Sequence, residues 1–331
     1  MNESARYNRY ALCREMLETA QVVASFDRSA VTEHLPASEK VLLSGEGSSR
    51  IFPAKRLMSH AFREGWRHHL VTEGAFQARE YDLSDFHVYV ASNSGKTAEG
   101  VALLRSAAAA RTTGIVAHGG TPIATESDSA FVLGCGAEEA VAATKSVVEQ
   151  ALFYDELFRQ ANGAPPVDLD RLGEDIAGVL RQPIPHDLID SAVAAPVVYF
   201  AGRNDGVAEE LTLKTNEITR KRSDFLEGTY AVHGVEEVMH ADELVVLVDP
   251  FPEQEEKFQT VLEQGVGMTV VAIADHETAF PTIRIPQERR DVSPYLHLVA
   301  GWSLLVEIGI AAGIDVDKPD RARKVGNEYV G

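Results

Sequence analysis

Apolar positions along the chain fall into two alternating rhythms. Short stretches dominated by apolar residues occupy 40–44, 69–73, 86–91, 114–118 and 130–134. Around them, apolar residues recur at helical spacing over 5–26, 52–64, 97–111 and 138–160. Short apolar runs fit strands buried on both faces, and a 3.6-residue period fits amphipathic helices. Strand, helix, strand in this order predicts a parallel α/β sheet with helices on both faces.

The rhythm is interrupted at 161–168, where two prolines and a glycine make the best linker. Helices are predicted at 169–181 and 188–193. The alternation then resumes with strands at 197–201, 244–249, 268–274 and 283–285, and helices at 206–220, 254–264 and 294–312. Each half opens on an apolar strand that ends in a glycine turn, Val41 to Gly45 in the first and Val198 to Gly202 in the second. This echo predicts two similar doubly wound α/β domains related by duplication: an N-terminal helix over 1–35, a first domain over 36–165, a helical linker over 166–195, and a second domain with a tail over 196–331.

Composition narrows the partners. The chain has 331 residues, 45% hydrophobic and 24% charged, with 31 Lys and Arg against 50 Asp and Glu. A net charge of −19 argues against nucleic acid or an anionic membrane as partner. An anionic ligand must therefore be held by local positive features against the field of the whole chain. Two cysteines, Cys13 and Cys135, make no disulfide framework or metal motif, so a reducing cytoplasm is expected. The N-terminus has no signal pattern, and no window of 18 apolar residues is read, so a soluble protein is expected.

Residues 86–100, FHVYVASNSGKTAEG, carry the sharpest chemical signal. A buried strand breaks into Ser92-Asn93-Ser94-Gly95-Lys96-Thr97, and a helix follows. Hydroxyls and a glycine at the positive end of a helix suit a phosphate. The bland alternative is a polar turn with a Ser or Thr N-cap. Two further turns, 45–50 and 134–145, are rich in small polar residues, and ligands of open α/β sheets collect where such turns converge. No GxGxxG opens a helix and no GxxxxGK[ST] occurs, so nucleotide binding is not expected.

Together these turns resemble the sugar isomerase (SIS) domain family across nearly the whole chain. Residues 92–97 match its S-x-S-G-x-T phosphate loop. Residues 140–146, AVAATKS, resemble the V-A-S-T-K segment in the isomerase half of glucosamine-6-phosphate synthases. Residues 213–218, LKTNEI, with His233-Gly234, resemble the L-K-x-x-E-I and H-G segments, and 315–319, DVDKP, with Lys324 resemble the C-terminal segment. The resemblance implies two flavodoxin-like SIS domains.

It also implies roles. Ser49, Ser92, Asn93, Ser94 and Thr97 would hold a sugar phosphate, and Val141 would present backbone to the sugar. Glu217 would move a proton between C1 and C2 through an enediol or enamine. His233 would assist ring opening from a neighbouring subunit of a homodimer, and Lys324 would sit near the sugar carbonyl. No metal or organic cofactor is implied. The chemistry is coherent: the reaction needs an open-chain carbonyl, a base near the transferred proton, and stabilised oxyanion charge.

Plain alternatives stand beside these roles. Glu217 could pair with Arg220 or Lys221 at helical spacing. Lys145 and Lys214 read as surface residues, Cys135 as a packed thiol, and 220–222 as a solvated basic face or a dimer contact. Two departures from the family bear on sugar preference: Lys96 stands where the synthase has glutamate, and Val235 where a proline is usual.

The chain reaches its first strand near residue 40, which leaves no room before it for a glutaminase domain, so glutamine-dependent synthesis is not expected of this chain alone. The expected activity is that of a phosphosugar aldose–ketose isomerase, or of an aminosugar- or fructosamine-6-phosphate deaminase (deglycase). The alternative is a non-catalytic sugar-phosphate sensor.

Overall fold

A computed structural model describes residues 1–287, 290–321 and 328–329. The chain forms two compact units. Of the described residues, one comprises 18–138, 143–173 and 328–329; the other comprises 1–17, 139–142, 174–287 and 290–321.

The first unit holds β1 (Lys40–Gly45), β2 (His69–Gly74), β3 (Phe86–Ser92), β4 (Arg111–Val116) and β5 (Ser129–Val132), all parallel, in the order β2-β1-β3-β4-β5. The second holds β6 (Val197–Gly202), β7 (Arg222–Glu227), β8 (Leu244–Val248), β9 (Thr269–Ala274) and β10 (Thr282–Arg284), in the order β7-β6-β8-β9-β10. Counted within each unit, both sheets run 2-1-3-4-5, the flavodoxin-like order. The glycine echo has a structural basis. A Cβ on Gly45 would lie 2.8 Å from the Ala91 carbonyl oxygen, and one on Gly202 would lie 2.7 Å from that of Val248. Each glycine ends the first strand of its sheet and lets the third strand pass close by.

Several expected boundaries move. The N-terminal helix is two, Ala5–Asn8 and Ala11–Ala24. The helix expected to reach 111 ends at Ser106, despite the alanines that follow. Strand β4 must begin at Arg111 to pair with His87, and Asp128 pins it by accepting from the Thr112 amide at 2.8 Å, so tertiary pairing overrides helix propensity.

The helix expected from 138 begins only at Lys145. Carboxylates take the amides of the preceding segment in place of helical carbonyls. Glu149 accepts from Gly134 and Cys135 at 2.7 Å each, and Glu138 accepts from Thr144 at 2.7 Å. Strand β7 has no counterpart among the expected elements. It is an edge strand whose charged residues face outward, which blurs its alternation. The helix expected over 254–264 tightens at Pro252–Gln254 and widens to a π-helix over Gln259–Val266.

One helix among the described residues, Ser293–Ala311, is long and apolar enough to cross a membrane, against the expectation of none. Of its most apolar 18-residue window, 89% is buried inside the fold, as befits a core helix.

Candidate active site

In a 2-1-3-4-5 sheet the crossovers from the first and third strands leave in opposite directions and open a crevice at their carboxyl ends. The β1 and β3 loops flank that crevice in the first unit, because Gly45 and Ala91 are register partners.

The β3 loop is shaped from within. The Ser92 hydroxyl lies 2.7 Å from that of Thr97 and accepts from the Gly95 amide at 3.1 Å, while Ser94 Oγ accepts from the Lys96 amide at 3.2 Å. Gly95 has φ +66°, and a Cβ there would strike Thr121 Oγ1 at 2.1 Å, so only glycine fits. Thr97 occupies the N-cap position of the Ala98–Ser106 helix, but its side chain makes no capping bond. Of the plain alternative, the polar turn and the N-cap position of Thr97 hold, but the capping bond does not: the hydroxyl serves the loop and does not satisfy the first amides of the helix.

Ser92 is buried, whereas Asn93, Ser94 and Thr97 are partly exposed and Lys96 is exposed. In the β1 loop, Ser49 is partly exposed and its Oγ lies 3.5 Å from Nε2 of the fully buried Gln150. Glu46 in the same loop accepts from the Ala75 amide at 2.9 Å, and burial raises its pKa.

Lys145 is not a surface residue. It is buried, with Nζ 2.6 Å from Glu18. Cys135 is the packed thiol expected, its pKa raised by burial.

In the second unit, Glu217 lies on the Val207–Thr219 helix and pairs with neither expected partner through its side chain. Its Oε2 is 2.9 Å from Nζ of Lys214, which is itself 3.3 Å from Glu210. Lys214 and Glu210 are fully buried, while the Glu217 side chain keeps 22% exposure. Burial alone would lower the Lys214 pKa; the charges of Glu217 and Glu210 outweigh it, and the pKa is raised. Glu217 is thus the accessible end of a buried charged row, and the surface reading of Lys214 is overturned.

The cluster at 220–222 is also less solvated than expected. Arg220 (φ +60°) ends the helix, donating to the Glu217 carbonyl and, at 2.6 Å, to that of Asp315. Lys221 Nζ caps the carbonyls of Val193 and Ala195 at 2.8 and 2.6 Å.

His233 is exposed, just after the short turn Tyr230–Val232, with Nε2 3.5 Å from Lys257 Nζ. Val141 is partly exposed, and its amide donates to the Asp317 carbonyl at 3.0 Å. Asp317 also caps the Ala11–Ala24 helix, accepting from Ala11 and Leu12 at 3.0 and 2.8 Å. Lys324 lies outside the described residues. Among the described residues no cluster of His, Cys, Asp or Glu could hold a metal ion.

One organising residue was absent from the sequence reading. Glu138 is buried and accepts from Thr144 N and Oγ1, Ser146 Oγ and, at 3.2 Å, Asn93 Nδ2. Its only sequence signal is a carboxylate within a run of small residues.

Two sheets of one strand order, with hydroxyl-rich turns at the switch point of the first, define a flavodoxin-like α/β fold. No protein-family model matches the chain. It is 29% identical over 266 residues, 72% of its own length, to glutamine–fructose-6-phosphate aminotransferase (isomerizing) of Clostridium perfringens, and spans 43% of that relative. Its fold superposes on tagatose-6-phosphate ketose/aldose isomerase of Escherichia coli with TM-score 0.80, at 16% identity, covering 96% of this chain and 99% of the other. It superposes on glucosamine-6-phosphate deaminase of Thermotoga maritima with TM-score 0.75, at 21% identity, covering 97% and 99%. These matches bear out the resemblance to the SIS family and, within it, to the isomerase half of glucosamine-6-phosphate synthase.

Proposed function

We propose that this chain is a sugar-phosphate aldose–ketose isomerase, or an aminosugar- or fructosamine-6-phosphate deaminase (deglycase), in which one proton transfer does the chemistry. The observation that carries this reading is the β3 loop. It sets partly exposed hydroxyls beside the uncapped N-terminus of a nine-residue helix, at the switch point of the sheet.

In this reading residues 36–165 and 196–331 act as two SIS domains. Ser49, Ser94 and Thr97 hold the phosphate and Ser92 shapes the loop behind them, with Asn93 beside them. Val141, whose amide is engaged, offers its carbonyl to the sugar. Glu217, kept partly exposed at the end of a row whose other members are buried, transfers the proton. A carboxylate suits this because it can take a proton from one carbon and return it to the next.

His233 opens the sugar ring, and its exposure fits a residue that serves a second copy of the chain, so a homodimer with shared sites is the proposed assembly. Lys324 is proposed to polarise the carbonyl. The working compartment is the cytoplasm, where Cys13 and Cys135 stay reduced; both are free and buried.

Two substitutions separate the roles. Glu217→Gln is expected to abolish turnover while sugar-phosphate affinity holds, because binding and proton transfer lie on different residues. Ser94→Ala is expected to weaken affinity with little change in the rate at saturation. Turnover retained in the first, or unchanged affinity in the second, removes that residue from its assigned role.

A further inference from the structure

The hydrogen-bond polarity of the β3 loop reassigns one of its members. Asn93 Nδ2 lies 3.2 Å from Glu138 Oε2. A carboxylate only accepts, so the amide must present its nitrogen to Glu138 and its oxygen away from it. Glu138 cannot turn to offer a donor. Its Oε1 is held by the Thr144 amide and hydroxyl at 2.7 and 3.1 Å, and its Oε2 also accepts from Ser146. The residue is 6% exposed, so solvent does not compete for it. Asn93 itself is partly exposed, its side chain bonds Glu138 through Nδ2, and among the described residues no hydrogen bond engages its Oδ1, which is not a fully buried atom. The loop therefore carries an accessible acceptor among the donors that surround it.

We propose that Glu138 fixes Asn93 as a specificity residue that accepts a hydrogen bond from the sugar end of the ligand, a hydroxyl or an amine, and that its side chain makes no contact with the phosphate. Near pH 8, the pH of the test below, a phosphate is almost wholly dianionic, so its oxygens accept and would be repelled by Oδ1, whereas a sugar hydroxyl or an ammonium donates. Glu138 acts only through Asn93 and is a positioning residue. The inference rests on the reading of the β3 loop as the phosphosugar site, and it replaces the phosphate-binding role expected for the Asn93 side chain.

The test compares inorganic phosphate with fructose 6-phosphate and glucosamine 6-phosphate, measured by calorimetry on the full chain near pH 8. Asn93→Ala is expected to leave inorganic phosphate affinity unchanged and to weaken at least one of the sugar phosphates by ~3- to 10-fold, the worth of one net hydrogen bond. Glu138→Gln places an NH2 group where Asn93 now donates, because the backbone amide of Thr144 holds the oxygen side while the Ser146 hydroxyl can rotate. It is expected to give the same selective loss, and the double variant no more than either single one.

Equal weakening of inorganic phosphate and sugar phosphate in Asn93→Ala overturns the proposal, as does additivity in the double variant. A wild-type protein that holds both sugar phosphates no tighter than inorganic phosphate overturns it too. Ser94→Ala separates the underlying reading: if it leaves all three affinities unchanged, the phosphate site itself is misplaced. Should Glu138→Gln fail to fold, Asn93→Ala alone decides, since it leaves the bonds of Glu138 to Thr144 and Ser146 in place.

Discussion

Replacing Lys214 with Met tests the charged row beneath Glu217. Methionine nearly matches lysine in length and leaves little cavity, so the main effect is the loss of charge. Lys214 and Glu210 are both fully buried, 3.3 Å apart, and removing one partner of such a pair costs about 3–5 kcal/mol, because the buried carboxylate loses its counter-charge. The contact to the partly exposed Glu217 adds little, since exposed pairs contribute about 0–1 kcal/mol.

The pH dependence has a definite sign. The Lys214 pKa is raised in the fold, so its contribution is complete at neutral pH and is lost only as pH climbs past the ordinary lysine value of ~10.4 and through the raised one.

Urea unfolding followed by tryptophan fluorescence, with Trp302 fully buried in the same unit, reads the deficit. Adding Glu210→Gln should recover much of the loss. A deficit below about 1 kcal/mol would refute the buried-row account, since it falls below the range for breaking a buried pair.

Other expectations follow from single contacts. Gly95→Ala forces a side chain into a φ of +66° and onto Thr121, which should cost the loop at least ~1–2 kcal/mol and weaken sugar-phosphate affinity; titration calorimetry with unchanged affinity would contradict the loop geometry. His87 accepts from the Ala37 amide at 3.1 Å, and burial lowers its pKa to about 4, so the fold should lose on the order of 3 kcal/mol as pH drops from 6.5 to 4. Acid unfolding of His87→Gln should be flatter over that window, and an unchanged profile would place the acid sensitivity elsewhere. Lys96→Glu reverses an exposed charge beside the phosphate loop and should raise KM at low salt, with the difference fading near 0.5 M salt; a salt-independent change would exclude a charge effect.

What the sequence made legible was what local pattern controls. The apolar strands β1, β3, β6 and β8 and the glycine turns after β1 and β6 were readable because a parallel strand buried on both faces leaves a short, mostly apolar run. The phosphate loop was readable because its glycine and hydroxyls stand next to one another in the chain. Strand β7 was hidden because an edge strand needs charge on its outer face, which made Arg222 and its neighbours look like a solvated patch.

The stretch ahead of Lys145 looked helical because alanine-rich sequence favours helix. It is held open by Glu149 and Glu138, whose bonds span 15 and 6 residues. The same limit explains Lys214: its 3- and 4-residue spacing from Glu217 and Glu210 was visible, but its burial was not.

The central claim is that Glu217 carries a proton between neighbouring carbons of a bound sugar phosphate. Incubating the protein in deuterated water with a panel of hexose 6-phosphates, aminosugar 6-phosphates and fructosamine 6-phosphates, and following the C1 and C2 protons by NMR, tests it directly. The account predicts deuterium incorporation into at least one of them, abolished in Glu217→Gln. Binding of these ligands with no exchange in any of them would contradict it and leave a protein that senses sugar phosphates without turning them over.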